Sequence, residues 1–346
     1  EPFAIFFDSS DPEHPLSRYS YICVYPVETI TSFADKVTIS HDEDEMTISG
    51  NPFDVLQKRL DIYAPEQDSA REFNGQHNAM HPFRGGAAGY FGYDLGRTLE
   101  QIPVRADRLE GMPDMAVGIY TSVLAFNHKT GKNTLYILEE NESAAEALAG
   151  KILKKIRNQK NENQDRVVKA GPEMKPALSA KKFKEKIQAV IDYIFAGDIF
   201  QANISLPFRG TVGKDFDLYS QYQKLRKTNK APYSSYLNTG GVKVASLSPE
   251  SFLSCINGQV KTRPIKGTCP RKSDPKENQK AVEKLQNDEK CRAENAMIVD
   301  LLRNDLSRVC SDYSIKVLSL CEVESYAKVN HMVSTVSGKL RPDKTE

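Results

Sequence analysis

The chain has no excess of charge of either sign. Its 47 lysines and arginines stand against 46 acids, so it carries no overall basic field of the kind that draws proteins to nucleic acid or to anionic membranes. Long apolar runs are also missing. The longest, such as Phe3 to Phe7, fall far short of the ~20 residues a membrane span needs, and no basic leader precedes them; the expected partner is a small molecule or another protein, and the expected location is cytoplasmic. The six cysteines (Cys23, Cys255, Cys269, Cys291, Cys310, Cys321) form no Cys-x-x-Cys pair and have no histidine at zinc-ligand spacing, which leaves reduced thiols used for packing. The glycines of "RGGAAGYFGYDLGR" (Arg84 to Arg97) precede no Gly-Lys-Ser/Thr and do not fit a dinucleotide fingerprint. They read as close packing of strand against sheet.

Three stretches are distinguishable by composition. Residues 1–157 alternate short apolar segments with turn signals, as in "YSYICVYPV" and "NTLYILEEN", and are expected to be a sheet-rich subdomain. Residues 158–176 are polar, poor in large apolar side chains and closed by prolines, a linker composition. Residues 177–346 form a second subdomain, which opens with Ser179 as the cap of a helix whose apolar stripe is Phe183, Ile187, Val190, Ile191 and Ile194, and which Gly197 ends.

Within that stretch, Asn257-Gly258 is a strong signal for a two-residue type I′ hairpin turn. Pairing Ile256 with Gln259 carries the register back to Glu250 opposite Ile265 and beside Lys266, so the turn returns an acid and an amine to one end of the hairpin. Strict alternation would point Lys266 and Glu250 to opposite faces. A shared site therefore needs a bulge or break near Pro264, which cannot donate to a ladder. Downstream, "AVEKLQNDEKCRAENAMIVDLLRND" reads as helix with Met297, Ile298, Leu301 and Leu302 inward and Glu294 on that same stripe. A carboxylate there needs a partner: either an arginine from a neighbouring element, or Mg²⁺, which takes one or two carboxylates plus waters and substrate oxygens.

Four segments in order, "PFRGGAAGYFGYDLGR", "SLSPESF", "TRPIKGTCPR" and "RAENAMIVDLLRNDLSRV", followed by "VNHMVSTVSGKL", resemble the chorismate-utilising enzymes of the anthranilate synthase component I family, in particular its aminodeoxychorismate synthase component I branch. The resemblance spans essentially the whole chain. It implies an α+β fold of two large antiparallel β-sheets packed together and flanked by helices, with residues 177–346 as a chorismate-binding core, and Mg²⁺ held at Glu294.

Two positions bear on the reaction. Relatives that add water carry a lysine base where this chain has Gln201, and glutamine cannot take a proton from water. Anthranilate synthases have alanine where this chain has Lys266. The resemblance therefore implies amination of chorismate by ammonia, with neutral Lys266 attacking ring carbon C2 and Glu250 protonating the departing C4 hydroxyl. An ordinary lysine, with pKa ~10.4, is almost wholly protonated at neutrality, and a carboxyl is ionised, so the reaction requires the site to shift both. Gly267, Thr268 and His331 would line the substrate; a strand-ending turn, and a core histidine bonded to a carbonyl, are the competing readings of these residues.

The resemblance further implies an amino-acid pocket able to hold tryptophan, at Ser9, Leu16, Ser17, Arg18, Tyr19, Pro232, Tyr233 and Ser234. No Gly-x-Cys-x-Gly elbow is present, so a separate glutamine amidotransferase subunit is expected to supply ammonia. Family members continue past the point matching Glu346, with a Gly-Ser-x-x-Gly-Ala-Pro-Lys loop, a substrate-gripping arginine and a second metal glutamate. The core is therefore expected to be truncated at its C-terminus and to have little activity alone. Two other readings stay open: anthranilate synthase component I, and a catalytically silent fragment that binds the amidotransferase or an amino acid.

Overall fold

The computed structural model describes residues 1–63, 83–103, 111–158 and 171–345; most of the expected linker, residues 159–170, lies outside them. The chain divides into two compact units, one of residues 1–160 with 222–346 and one of residues 161–221. In the first, β1 (Ala4–Asp8), β2 (Tyr19–Cys23), β3 (Glu28–Phe33), β4 (Lys36–His41) and β5 (Asp44–Ser49) precede α1 (Pro52–Tyr63). Then come β6 (Gly86–Phe91), β7 (Met115–Tyr120), β8 (Ser122–Asn127), β9 (Asn133–Ile137) and α2 (Glu142–Asn158). The second unit holds β10 (Lys175–Pro176), α3 (Ala180–Ala196) and β11 (Phe208–Arg209), and α4 (Leu218–Thr228) crosses the division. Back in the first unit are β12 (Tyr233–Asn238), β13 (Lys243–Ser248), β14 (Ser254–Ile256), β15 (Gln259–Thr262) and β16 (Ile265–Pro270). They lead to α5 (Pro275–Gln286), α6 (Glu289–Ser307), β17 (Lys316–Ser325) and β18 (Val329–Lys339).

Among the described residues the first unit contains three antiparallel sheets. They run β13-β12-β1-β2-β8-β9, β5-β4-β3-β7-β6, and β14-β15-β18-β16 with β17 also on β18. The first of these takes β1 from the chain start and β12 from beyond residue 230, paired from Ala4 with Asn238 to Asp8 with Ser234. Strand β7 is buried at every position, as expected of a strand covered on both faces. Its Met115, Val117 and Ile119 pack with Val55 and Leu56 of α1. Tyr120 and Ala88 instead join Ile5, Cys23, Val123 and Leu237 of the six-stranded sheet, so the two sheets share one core cluster. The glycine-rich segment is close packing as expected: a Cβ at Gly89 would collide with the Ala116 carbonyl on the paired strand.

One ion pair fixes the end of β1. The Asp8 carboxylate, 2 % exposed, accepts from Tyr222 Oη at 2.7 Å and from Arg226 Nη2 at 2.7 Å. Burial, with the Asp8 carboxylate beside it, pushes the Tyr222 phenol far above its usual range. In the second unit, Ser179 caps α3 by accepting from Lys182 N–H and Gly197 closes it at φ 81°. Among the described residues no helix is long and apolar enough to cross a membrane.

Removing one member of a buried charge pair leaves the other uncompensated, at a cost of about 3–5 kcal/mol. Arg226→Ala is therefore expected to lower the unfolding free energy by about 3 kcal/mol in urea titrations; a change under about 0.5 kcal/mol, the range of surface substitutions, would mean that Asp8 is solvated.

Candidate active site

The hairpin forms as its turn dictates. Asn257 and Gly258 both have positive φ, 52° and 72°, and the register pairs Ser254 with Lys261, Cys255 with Val260 and Ile256 with Gln259. The hairpin ladder ends at the Ser254–Lys261 pair, and β15 itself ends at Thr262, two residues before the proline. Beyond Pro264 the chain resumes as β16, and both β15 and β16 lie end to end along one edge of β18. Thr262 pairs with Val336 and Ile265 with Val333 on that edge, while β17 takes the other. Pro264 still contributes through its carbonyl, which accepts from Ser334 N–H at 3.2 Å.

The irregularity that the shared site requires falls near Pro264, two to three residues after it. Between Ile265, paired with Val333, and Thr268, paired with His331, the register shifts, so Lys266 and Gly267 together oppose Met332. Such a bulge re-aims side chains that alternation would have sent elsewhere. Gly267 has φ 87°, and a Cβ there would lie 2.9 Å from Cys291 Cβ on α6. No other residue type fits both constraints without displacing the helix. Glu250, exposed in the turn that follows β13, extends its Oε1 to accept the Ile265 N–H at 2.9 Å. Its own N–H donates to Ser248 Oγ at 3.2 Å, and Thr262 Oγ1 anchors the intervening loop on Phe252 O at 2.7 Å. An acid is thus attached to the residue adjoining Lys266, which is half-buried.

The helical segment differs from expectation in two ways. It is two helices, because Asp288 breaks the run and caps α6 by accepting from Cys291 N–H at 2.8 Å. Its buried face is Asn295, Val299 and Leu306, whereas Met297 and Leu301 are exposed. The inward stripe is turned because Asn295, fully buried, satisfies its amide internally: Oδ1 accepts from Ser334 Oγ and Nδ2 donates to Met332 O at 3.5 Å. Glu294 therefore heads a half-open face, with Lys290 at 3.8 Å on the preceding turn. Its charge reaches the Cys291 thiol, which burial, Asp288 and Glu294 together push up. That thiol touches the Gly267 backbone position, so Glu294 lies one helical turn from the bulge.

On the other side of the bulge, Thr268 Oγ1 and His331 Nδ1 are 2.8 Å apart. Burial lowers the His331 pKa, with Glu324 opposing. Four residues that the sequence did not single out surround it. Tyr326 packs edge-on to His331 with ring centroids 4.9 Å apart, and stacks on His14 at 4.5 Å. Arg263 bridges to Glu324, and Tyr326 Oη donates to the same carboxylate at 3.3 Å. Burial lowers the His14 pKa; Asp11 and Glu324 oppose, and Arg263 adds to the shift. Only Arg263 lay inside a recognisable motif; His14, Glu324 and Tyr326 have no sequence signal beyond their residue type.

The residues of the implied amino-acid pocket come from distant segments and meet at the start of β12. Ser9 Oγ donates to Tyr19 O at 2.8 Å, or to Pro232 O at 3.1 Å. Ser10 and Ser234 hydroxyls lie 2.9 Å apart. Leu16 O accepts from Arg18 N–H at 3.0 Å, and the Arg18 guanidinium lies 5.5 Å from the Tyr19 ring centroid. Burial raises the pKa of Tyr233. The Ser17 hydroxyl is buried without a partner among the described residues. Gln201 is exposed in the irregular segment after α3, in the second unit.

The family profile described as chorismate binding enzyme matches residues 3–346, and the chain belongs to that family. Aminodeoxychorismate synthase component 1 of Escherichia coli (strain K12) is 36 % identical over 339 residues, which is 98 % of this chain and 71 % of that protein. Anthranilate synthase component 1 of Thermus thermophilus is 34 % identical over 332 residues, 95 % of this chain and 68 % of that protein. In three dimensions, anthranilate synthase component I from Streptococcus pneumoniae superposes with a TM-score of 0.79 at 29 % identity, covering 96 % of this chain and 71 % of that one. The α+β fold is thereby that of this family.

Gly267→Ala is expected to cost about 1–3 kcal/mol of stability, measured by denaturant titration, since the added methyl meets both a disfavoured φ and a helix. A neutral effect would mean that the bulge relaxes freely. The histidines predict a pH dependence with a definite sign. Burial depresses their folded-state pKa values, so their contribution is complete above the unfolded value of about 6.5 and is lost as pH falls through the folded ones. Unfolding titrations at pH 7 and 5.5 should show this acid-side loss shrink in His331→Gln; an unchanged loss would assign it to carboxylates.

Proposed function

We propose that the chain is component I of an aminodeoxychorismate synthase, which converts chorismate and ammonia to 4-amino-4-deoxychorismate on the path to 4-aminobenzoate and folate. The observation that carries the reading is the bulge at Lys266–Gly267 with the Glu250 carboxylate attached to the Ile265 N–H at 2.9 Å. An amine is released from the ladder beside an acid that the ladder itself holds in place. The higher identity to the aminodeoxychorismate synthase component than to the anthranilate synthase component agrees with lysine at position 266.

In this mechanism the Lys266 amine, once deprotonated, forms a bond to ring carbon C2. Both double bonds of the ring diene shift by one position, and the C4–O bond breaks as Glu250 gives its proton to the leaving hydroxyl, which departs as water. Ammonia then bonds to C4, both double bonds shift back to restore the diene, and the C2–N bond to Lys266 breaks. Thr268 and His331 orient the substrate from the far side of the bulge. Gln201 offers no base for activating water, which leaves ammonia as the nucleophile.

Glu294 is the residue that would hold Mg²⁺. It is a single, partly exposed carboxylate one turn from the bulge, and among the described residues no cluster of three or more His, Cys, Asp or Glu side chains could hold a metal alone. That donor set fits an ion which takes one or two protein carboxylates and completes its shell with substrate oxygens and water. The metal would supply charge neutralisation for the substrate's carboxylates. A glutamine amidotransferase subunit supplies the ammonia, and the setting is cytoplasmic.

The unpartnered, buried Ser17 hydroxyl supports the amino-acid pocket, because a group of this kind usually has a bonding partner. The chain contains no tryptophan of its own, so the fluorescence of added tryptophan reports directly on binding. A blue shift and raised anisotropy are expected, both lost in Ser17→Leu; an unchanged spectrum at millimolar ligand would remove the pocket.

Quenching the enzyme with chorismate and Mg²⁺ but no ammonia should leave an adduct mass on the peptide containing Lys266, absent in Lys266→Ala. With ammonium present, mass spectrometry should identify 4-amino-4-deoxychorismate. Release of anthranilate and pyruvate would sink the assignment. Glu250→Gln should lower turnover by about 10²–10⁴-fold, the usual worth of a general acid.

A further inference from the structure

The bulge is braced on both flanks by one side chain that stands outside the chemistry. Tyr326, 4 % exposed, sits in the turn joining β17 to β18, where its N–H donates to Val329 O at 2.8 Å. Its hydroxyl donates to Glu324, whose other carboxylate oxygen takes Arg263, the residue leading into Pro264, Ile265 and Lys266. Its ring edge meets His331, which holds Thr268, the residue leaving the bulge. A face of the same ring is closed by His14, stacked at 4.5 Å and 29°. His14 is in turn fixed in its loop: its N–H donates to Asp11 O at 3.0 Å and its Nδ1 accepts from Leu16 N–H at 3.3 Å.

We propose that Tyr326 and His14 are positioning residues: the column His14–Tyr326–His331, stacked at its first contact and edge-on at its second, holds the His331 ring in the single orientation that commits Nδ1 to Thr268 and leaves Nε2 for a ligand beside Lys266. Among the described residues His331 Nε2 makes no hydrogen bond, while Nδ1 has the 2.8 Å contact. An imidazole bound at one nitrogen only can flip about its side-chain axis unless its faces are packed, and flipping would put carbon Cδ2 where Nδ1 stood and carbon Cε1 where Nε2 stood, which breaks the Thr268 contact and frees the ring to change tautomer. The Tyr326 ring is the packing that opposes the flip, and His14 prevents Tyr326 from retreating. The charged groups facing the column are Asp11 in the loop, Glu324 on β17 and Arg263 between β15 and β16. The proposal rests on the assignment of the substrate site above, but its first readout does not.

In the isotopically labelled chain, side-chain nitrogen NMR should show His331 as one dominant neutral tautomer at pH 7.5, retained in Tyr326→Phe and mixed in Tyr326→Leu and His14→Ala. In the active enzyme with chorismate and ammonium, kcat should fall by about 10–100-fold in Tyr326→Leu and in His14→Ala, the effect of a misplaced group. KM should change far less, and Tyr326→Phe and His14→Phe should recover most of the rate because both keep the stack. His14→Ala, at the end of the column away from the site, keeps the test available if Tyr326→Leu does not fold. A wild-type mixture of tautomers, or a tautomer unaffected by both variants, overturns the proposal. A tautomer that mixes with no change in kcat supports the column and instead refutes a role for His331 in the reaction.

Discussion

The arrangement depends on one steric constraint, the contact between the backbone of Gly267 and Cys291 of α6. A strand cannot approach a helix this closely if it carries a side chain at the point of contact, and it cannot insert an extra residue into a ladder without a conformation that glycine adopts readily. Both demands fall on the same residue. Because Gly267 meets them, Lys266 is displaced from the pleat, Glu294 is brought within one turn of the bulge, and Thr268 regains the ladder opposite His331.

Around that point the site is assembled from elements with different tolerances. Glu250 is held by a single backbone donor and lies in an exposed turn, so it has freedom to move with a substrate. Thr268 and His331 lie on paired strands and are backed by a buried ring. The contrast suits the roles proposed for them, a proton donor that must follow a leaving group and a binding wall that must not shift.

The local elements were largely legible in the sequence. Asn257-Gly258 fixed the hairpin, and Ser179 and Gly197 fixed the ends of α3, because each of these signals is a backbone requirement met within a few residues. The pairing of β1 with β12 was not legible, since a ladder between segments separated by more than two hundred residues leaves no trace in spacing. The turned face of α6 was missed because a periodicity count treats Asn295 as polar and therefore outward, whereas its amide is satisfied inside by Ser334 and Met332. The bulge was anticipated near the proline, the visible ladder breaker, and the residue that carries it is the glycine three positions on. The column of His14, Tyr326 and His331 draws on three segments, and nothing in any one of them announces the others.

The bulge also bears on how such a chain could change its chemistry. A residue inside a regular strand is chosen by its neighbours across the ladder, and replacing lysine by alanine there would open a hole or strip a contact. At a bulge the backbone geometry is secured by the next residue, so position 266 is released from that selection. Under the role proposed for Lys266, the scaffold can exchange a nucleophile for an inert methyl, or the reverse, without rebuilding its sheet. On that proposal reaction type and fold are encoded by adjacent residues, one free to vary and one fixed, and a change of chemistry needs no new architecture at this point of the chain.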